Sequence, residues 1–249
     1  MIPIFIITCD RLKVLKESMR SYYDCIKTPF KIVILDQGST YGPTIEFLDN
    51  LELVGIKVYR WKKGLNDSSR RNLRRDNDKI AGDIRHYFRS HLPSNYVVTD
   101  PDILLDNVDG DILEVYAYLL EKLPKIRTVG TMLRTDDIPD FYFNKKAVLI
   151  RQEYAGILTE KVNTIQYKGS SIKYISTPIH TTFGMYRNET LWTGFARRAI
   201  RTLAPYSAKH LDWYLNPEEL TEDQKYYMEH ASSNLHWGKP GHRAKGKPK

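Results

Sequence analysis

Asp100 and Asp102 stand one residue apart in TDPD, directly behind the apolar run Tyr96, Val97 and Val98. Two carboxylates this close at a strand's end repel each other, so a divalent cation, a basic neighbour or solvent must offset the charge. Carboxylate oxygens suit Mg²⁺ and Mn²⁺, hard cations that commonly bridge acids to phosphate groups. The plainer reading is an Asp-Pro turn whose acids are hydrated. Asp36 closes a second apolar run in ILDQGST. It could accept hydrogen bonds from a base imide or a ribose hydroxyl, with Gly38 and Ser39 letting a ligand approach the backbone. It could equally close an Asx turn or cap a helix.

Three further groups carry chemistry. In DSSRRNLRRDN a helix start meets Arg70, Arg71, Arg74 and Arg75. Orphan N–H groups beside guanidinium groups make a phosphate site. Helical spacing puts Arg71, Arg74 and Arg75 on one face with Arg70 bordering it, so part of this set is surface charge. Asp136 and Asp137 in LRTDDIPD offer a carboxylate able to take a proton from a hydroxyl, or a loop that hydrates its charges. His180 in PIHTTFGMYR and His210 in HLDWY are metal-ligand candidates or packed core residues, and Trp213 and Tyr214 fit a sugar-stacking wall or a helix core.

The elements that would carry these groups follow from hydropathy. IPIFIIT, FKIVILD, GIKVYRW and SNYVVTDPD are strand-like runs, separated by helical patterns at LKVLKESMRSYYDCI, PTIEFLDNL and NDSSRRNLRRDNDKIAGDIRHYF. DGDILEVYAYLLEKLP reads as another helix and KIRTVGTML as a returning strand. This alternation predicts an α/β fold with a mostly parallel, Rossmann-like sheet and helices on both faces. In such sheets ligands sit beyond the carboxyl ends of the strands. Asp10 and Arg11, Asp36, Lys62 to Asn66, and Asp100 with Asp102 follow the first four strands in turn, and together could rim one cleft. Beyond residue 140, FYFNKKAVLIRQEYAGIL and NTIQYKGSSIKYISTPIHTTFGMYR mix strand-like alternation with turns. The stretch from Thr190 to Trp237 reads as helical in pieces, with a capping start at Thr221 in TEDQ.

The chain has 249 residues, 41% hydrophobic and 27% charged, enough for one large domain. No apolar run approaches the roughly 20 residues of a membrane span, and MIPIFIITCDR lacks a basic n-region. With only Cys9 and Cys25 there is no disulfide framework, and a cytoplasmic setting is expected. The formal charge of +8 fits phosphate-bearing ligands, nucleic acid or anionic surfaces equally. Part of it falls in a Gly-, Pro- and Lys-rich tail, residues 239–249, expected to be disordered.

Taken in order, PIFIITCDRL, ILDQGST and TDPD resemble the nucleotide-sugar-dependent glycosyltransferases of the GT-A fold, family-2-like. LRTDDIPD, PIHTTFGMYR and RTLAPYSAKHLDWY are similar to blocks of a bacterial and viral subgroup, so the resemblance runs from residue 2 to about 238. It implies a single domain over 1–238 with a nucleotide-binding half (1–135), an acceptor half (136–238) and a C-terminal helical extension. TDPD looks like the DxD motif, which implies that Asp102 and Asp100 meet Mn²⁺ or Mg²⁺ and the donor diphosphate. By the same resemblance Thr8, Asp10, Arg11 and Asp36 hold the nucleoside, and Arg71 and Asn72 match an Ala-Arg-Asn segment. The implied donor is a UDP, GDP or dTDP sugar, and the implied acceptor a glycan or glycoconjugate hydroxyl. Inversion of the sugar is likewise implied, with Asp137 as base and Asp136 as substitute. His180 departs from the pattern, standing where an acid is expected before TTF. Two rival readings remain. A nucleotidyltransferase opens with a Gly-rich loop, which TCDRLK lacks, and a nucleic-acid-binding protein leaves four acid-bearing strand ends unexplained.

Overall fold

The computed structural model describes residues 1–62, 73–92, 94–154 and 160–230. Its elements in chain order are β1 (Ile2–Thr8), α1 (Leu12–Cys25), β2 (Phe30–Asp36), α2 (Gly42–Leu53), β3 (Lys57–Arg60), α3 (Leu73–Arg89), β4 (Tyr96–Thr99) and β5 (Ile103–Leu104). There follow α4 (Ile112–Lys122), β6 (Thr128–Leu133), α5 (Lys145–Tyr154), β7 (Asn163–Tyr167), β8 (Ser170–Ile175), β9 (Gly184–Tyr186) and β10 (Ala199–His210). A 3₁₀ turn (Leu211–Tyr214) and α6 (Glu222–His230) end the described chain.

The strands form one mixed sheet in the order β3-β2-β1-β4-β9-β6-β10-β8-β7, with β5 paired to the end of β10. Among these strands only β5, β8 and β9 run against the rest, so the sheet is mostly parallel, as expected. Period-2 side-chain alternation divides the core between its faces. Ile4, Ile6, Ile32, Ile34 and Val97 pack with Leu15 and Met19 of α1, Leu48 of α2 and Leu119 of α4. Phe5, Ile7, Val33, Leu35 and Val98 pack with Ile80, Ile84 and Tyr87 of α3. A strand with both faces covered must be apolar throughout, which is why these segments read as unbroken hydrophobic runs.

Two expectations for the second half are corrected. FYFNKKAVLIRQEYAGIL, expected as strand-like alternation with turns, contains helix α5. Asn144, Val148 and Gln152 are buried four residues apart, which is a helical stripe. The stretch expected to be helical in pieces contains β10, a twelve-residue strand. Ala199 to Thr202 are buried without alternation because β10 is paired on both sides, by β6 and β8. Pro205, which cannot donate to a ladder, sits where the β6 register shifts between Thr202 and Ser207. Among the described residues, the 3₁₀ turn and α6 make the helical extension. At its start the Thr221 N–H donates to the Gln224 side chain (2.9 Å), the return half of a capping box.

One glycine is needed for a close approach. The extended segment 176–182 crosses β6 at Gly130, where an added Cβ would lie 2.9 Å from Ile179 Cδ1 and 3.3 Å from the Gly184 Cα. Ile179 is fully buried and the second neighbour is backbone, so neither yields freely. Gly130→Ala should therefore lose about 1–3 kcal/mol in urea denaturation. Unchanged stability would show that this crossing is looser than described.

Candidate active site

Strand ends supply the site. Beyond β4 the chain turns into β5, which pairs antiparallel with the last two residues of β10, Ile103 opposite His210 and Leu104 opposite Lys209. The Leu211 N–H donates to the Asp102 carbonyl at 2.8 Å. This stitching sets His210 and Asp212 beside Asp102, and ligand atoms of the three side chains lie within 4.8 Å of one another. All three residues are buried. The His210 Nε2 is 3.8 Å from Asp102 Oδ2, and the imidazole stacks on Trp213 with ring centroids 5.0 Å apart.

Arg11, leading into α1, enters the same cluster. Its Nη2 donates to Asp102 Oδ2 (3.2 Å) and to Asp212 Oδ1, and its guanidinium lies 4.4 Å from the centre of the Tyr227 ring. Burial opposes the Arg11 charge, but Asp212, Tyr227 and Asp102 outweigh it and hold the group above its usual pKa. Burial raises Asp212 against the pull of Arg11. Part-buried Asp100 is pushed up to about 8 by burial and then by the Asp102 charge, while the Thr181 hydroxyl, donating to it, works the other way. One arginine thus faces three acids. Two buried atoms of the cluster have no hydrogen-bond partner, Asp102 Oδ1 and His210 Nδ1. Two carboxylates and an imidazole with spare lone pairs fit a divalent cation.

The other sequence candidates divide into those gathered here and those turned to other tasks. Asp10 is buried and saturated. Its carboxylate accepts the Thr40 N–H (2.7 Å), the Tyr41 N–H (2.8 Å) and the Thr40 hydroxyl (3.1 Å), while its own N–H donates to Ser39 Oγ (2.9 Å). It ties the end of β1 to the start of α2 with its backbone at φ 52°, a conformation unusual for a non-glycine residue. Asp36 accepts the Ser39 N–H (3.0 Å) and Ser39 hydroxyl (2.7 Å), closing the turn three residues on, and Gly38 supplies the positive φ of 87°. Burial raises the Asp36 pKa. Thr8 is buried with its hydroxyl unpartnered. Arg70, Arg71 and Asn72 lie outside the described residues, as do the side chains of Arg74 and Arg75.

Asp137 lies on the same rim, through Tyr214 of the 3₁₀ turn that carries Asp212. The Tyr214 hydroxyl donates to Asp137 Oδ1, and Lys209 Nζ and Arg134 Nη2 lie 3.5 and 3.8 Å from Asp137 Oδ2. Asp136 is exposed. His180 is not brought into the acid cluster; its ring packs on Phe195 at 4.7 Å.

Asp212 was not singled out from the sequence, and α6, expected as a helix from its capping start at Thr221, was not expected at the site. HLDWY contains a signal for the first, since a ligand pair at i and i+2 repeats the Asp100–Asp102 spacing. Helix α6 folds across the site. Asp223 Oδ2 accepts the Lys13 N–H (2.9 Å), the Tyr226 hydroxyl meets Thr40 Oγ1 (3.0 Å), and the Tyr226 ring lies 4.8 Å from that of Tyr41. The space left between Arg11, Asp212 and Tyr227 is about 10 Å³, room for about one water.

No protein-family model matches the chain, and neither does any curated protein sequence. Solved structures do. The mannosyltransferase PcManGT from Pyrobaculum calidifontis, in complex with GDP-Man and Mn²⁺, is 18% identical over 55% of this chain and 36% of its own, with a TM-score of 0.39. S. aureus TarS 1-349 is 11% identical over 75% of this chain and 47% of its own, TM-score 0.42. Glucosyl-3-phosphoglycerate synthase from Mycobacterium tuberculosis is 13% identical over 76% of this chain and 57% of its own, TM-score 0.42. The chain therefore spans about a third to just over a half of these proteins, and likeness at this level assigns it no activity. No described helix is long and apolar enough to cross a membrane.

Removing Arg11 leaves Asp102 and Asp212 as uncompensated buried charges. Arg11→Ala should cost about 3–5 kcal/mol in chelator-treated protein, with part of the loss recovered when Mn²⁺ is added. Unfolding curves that coincide with wild type would refute the balance of charge described for this cluster.

Proposed function

We propose that the chain is a metal-dependent glycosyltransferase that moves a sugar from a nucleoside diphosphate to a hydroxyl of a glycan or glycoconjugate. The observation carrying this reading is the buried Asp102–His210–Asp212 cluster at the carboxyl ends of the strands, with spare lone pairs on Asp102 and His210. That is where an open α/β sheet binds ligands. Asp102, His210 and Asp212 would hold Mn²⁺, with Asp100 beside them. When bound, the metal supplies charge neutralisation for the departing diphosphate.

The chain's own residues do the rest. Arg11 fixes the rotamers of Asp102 and Asp212 by donating to both. Asp36 and Thr8 present acceptor and hydroxyl groups for the nucleoside at the ends of β2 and β1; Arg71 and Asn72, outside the described residues, would meet the diphosphate. Asp10 acts one step removed, by fixing the loop that carries Ser39 and Thr40. Asp137 is the base. As the acceptor oxygen bonds to the anomeric carbon and the bond to the diphosphate breaks, the hydroxyl proton passes to Asp137, a single displacement that inverts the sugar. Tyr214, Lys209 and Arg134 hold its carboxylate in place, and Asp136 is the substitute.

A thermal-shift panel of UDP, GDP, CMP and dTDP sugars tests the reading. At least one donor should raise the melting temperature with Mn²⁺ present and not with chelator. Asp102→Ala and Asp212→Asn should abolish that shift and lower transfer at least about a hundredfold. A donor shift that survives both substitutions and chelation would remove the metal from the reading.

A further inference from the structure

A groove lies at the end of the sheet opposite the acid cluster. Its walls are Leu123 to Ile126, ahead of β6; Tyr174 and Ser176 to Pro178, at and after the end of β8; and Arg197 to Ile200, leading into β10. Two adjoining cavities of about 580 and 290 Å³ share Lys125, Ile126 and Ser176, so they form one trough. Lys125, Arg197 and Arg198 are exposed there, and none of the described lining residues is acidic. No ion pair engages these three cations among the described residues. The floor is apolar, from Ile126, Tyr174 and Ile200.

The trough is built rather than incidental. Arg187 closes the end of α4, donating Nε to the Ile126 carbonyl (2.9 Å) and Nη2 to the carbonyls of Leu120 and Leu123 (the latter at 3.3 Å), which fixes one wall. The Arg198 carbonyl accepts the Arg127 and Thr128 N–H groups at 2.7 and 3.3 Å, which fixes the other. Arg201, buried without a carboxylate partner, donates Nε and Nη2 to the Pro178 carbonyl at 3.0 and 2.9 Å and holds the third.

That third wall leads to the active site. The segment from Ser176 continues through His180 to Thr181, whose carbonyl accepts the Asp100 N–H at 2.8 Å. Five residues can span at most about 17 Å, and this segment bends at His180 and Thr181. At His180, next to Thr181, the exposed face of Phe195 and the imidazole make an apolar platform, with the Arg197 guanidinium 6.0 Å from the Phe195 ring. A polar chain with apolar ring faces and negative charges matches this succession of cations, floor and platform.

We propose that this trough is the anchoring site of an anionic glycan, the acceptor of the transfer, whose reacting end follows residues 176–181 to the acid cluster. The identity of that glycan as acceptor rests on the glycosyltransferase reading; the binding site itself does not. His180, a metal-ligand candidate by sequence, belongs to this track.

The test uses the full chain and fluorescein-labelled dextran sulfate, with uncharged dextran beside it, read by anisotropy at low ionic strength. The combined variant Lys125→Ala, Arg197→Ala, Arg198→Ala should bind dextran sulfate about tenfold more weakly or worse. A control variant, Arg20→Ala, Lys31→Ala, Lys57→Ala, removes three exposed cations near the far edge of the sheet and should stay within about twofold of wild type. Equal melting temperatures for all three proteins establish that each is folded. Equal losses in both variants would overturn the site in favour of diffuse charge. Tighter binding of an oligonucleotide of matched charge, lost in the groove variant, would overturn the glycan in favour of nucleic acid. The donor shift with Mn²⁺ should persist in the groove variant. If no sugar nucleotide shifts even the wild type while the groove result holds, the transfer reading falls and the glycan site stands.

Discussion

Everything at the carboxyl end of this sheet is arranged around one electrostatic constraint: Asp102 and Asp212 are both buried, and Arg11 is the cation held between them. Bringing an ionised carboxylate out of water costs several kcal/mol even after relaxation, and one guanidinium cannot repay that for two acids plus nearby Asp100. The chain meets the deficit partly by leaving Asp100 easy to protonate and partly by surrounding Arg11 with the Tyr227 ring. What remains is a site with more acceptor capacity than donors. That imbalance is what a structure-stabilising ion pair lacks and what a cation-binding site requires.

The same constraint explains why the two halves of the chain cannot be separated functionally. Asp102 follows β4, whereas His210 ends β10 and Asp212 follows it, six places further along the chain's strand order but joined to it through the two-residue β5. Had β10 been a helix, as its composition first reads, neither residue would reach Asp102. The helix after it is equally committed. Through Asp223, Tyr226 and Tyr227, α6 is bonded to the backbone of α1, to Thr40 and to Arg11. Beneath it, between Arg11, Asp212 and Tyr227, there is room for about one water. These contacts keep the Arg11 and Asp212 side of the acid cluster away from bulk solvent.

The N-terminal half was legible because its signals are local. Buried parallel strands such as Ile2–Thr8 and Phe30–Asp36 are apolar on both faces, and their polar ends mark the ligand side without any knowledge of contacts. Asp102 was found on that basis. Asp212 was not, because its role arises from a pairing between β5 and β10 more than a hundred residues apart, which no spacing reports. Asp10 illustrates a different limit. Its position at a strand end pointed toward a ligand, yet its oxygens are taken by Thr40 and Tyr41. A carboxylate that closes a loop and one that greets a ligand look alike in sequence. Only their partners tell them apart.

His180 brings these threads together. As a lone histidine before TTF it was open to being a metal ligand, since an imidazole offers the lone pair that an acid there would have offered. The fold gives it a different neighbourhood. Burial lowers its pKa, Arg201 and Arg151 lower it further, and its ring rests on Phe195. A histidine kept neutral among cations is a poor partner for more positive charge and a suitable wall for a ligand that carries negative charge past it. The acid cluster and the 176–181 segment both meet the TDPD turn: His210 and Asp212 lie beside Asp102, whereas the Thr181 carbonyl accepts the Asp100 N–H. The reversal of direction at β9 makes this possible, because it returns the chain across β6 at Gly130 and delivers Thr181 to the Asp100 backbone from the far end of the sheet.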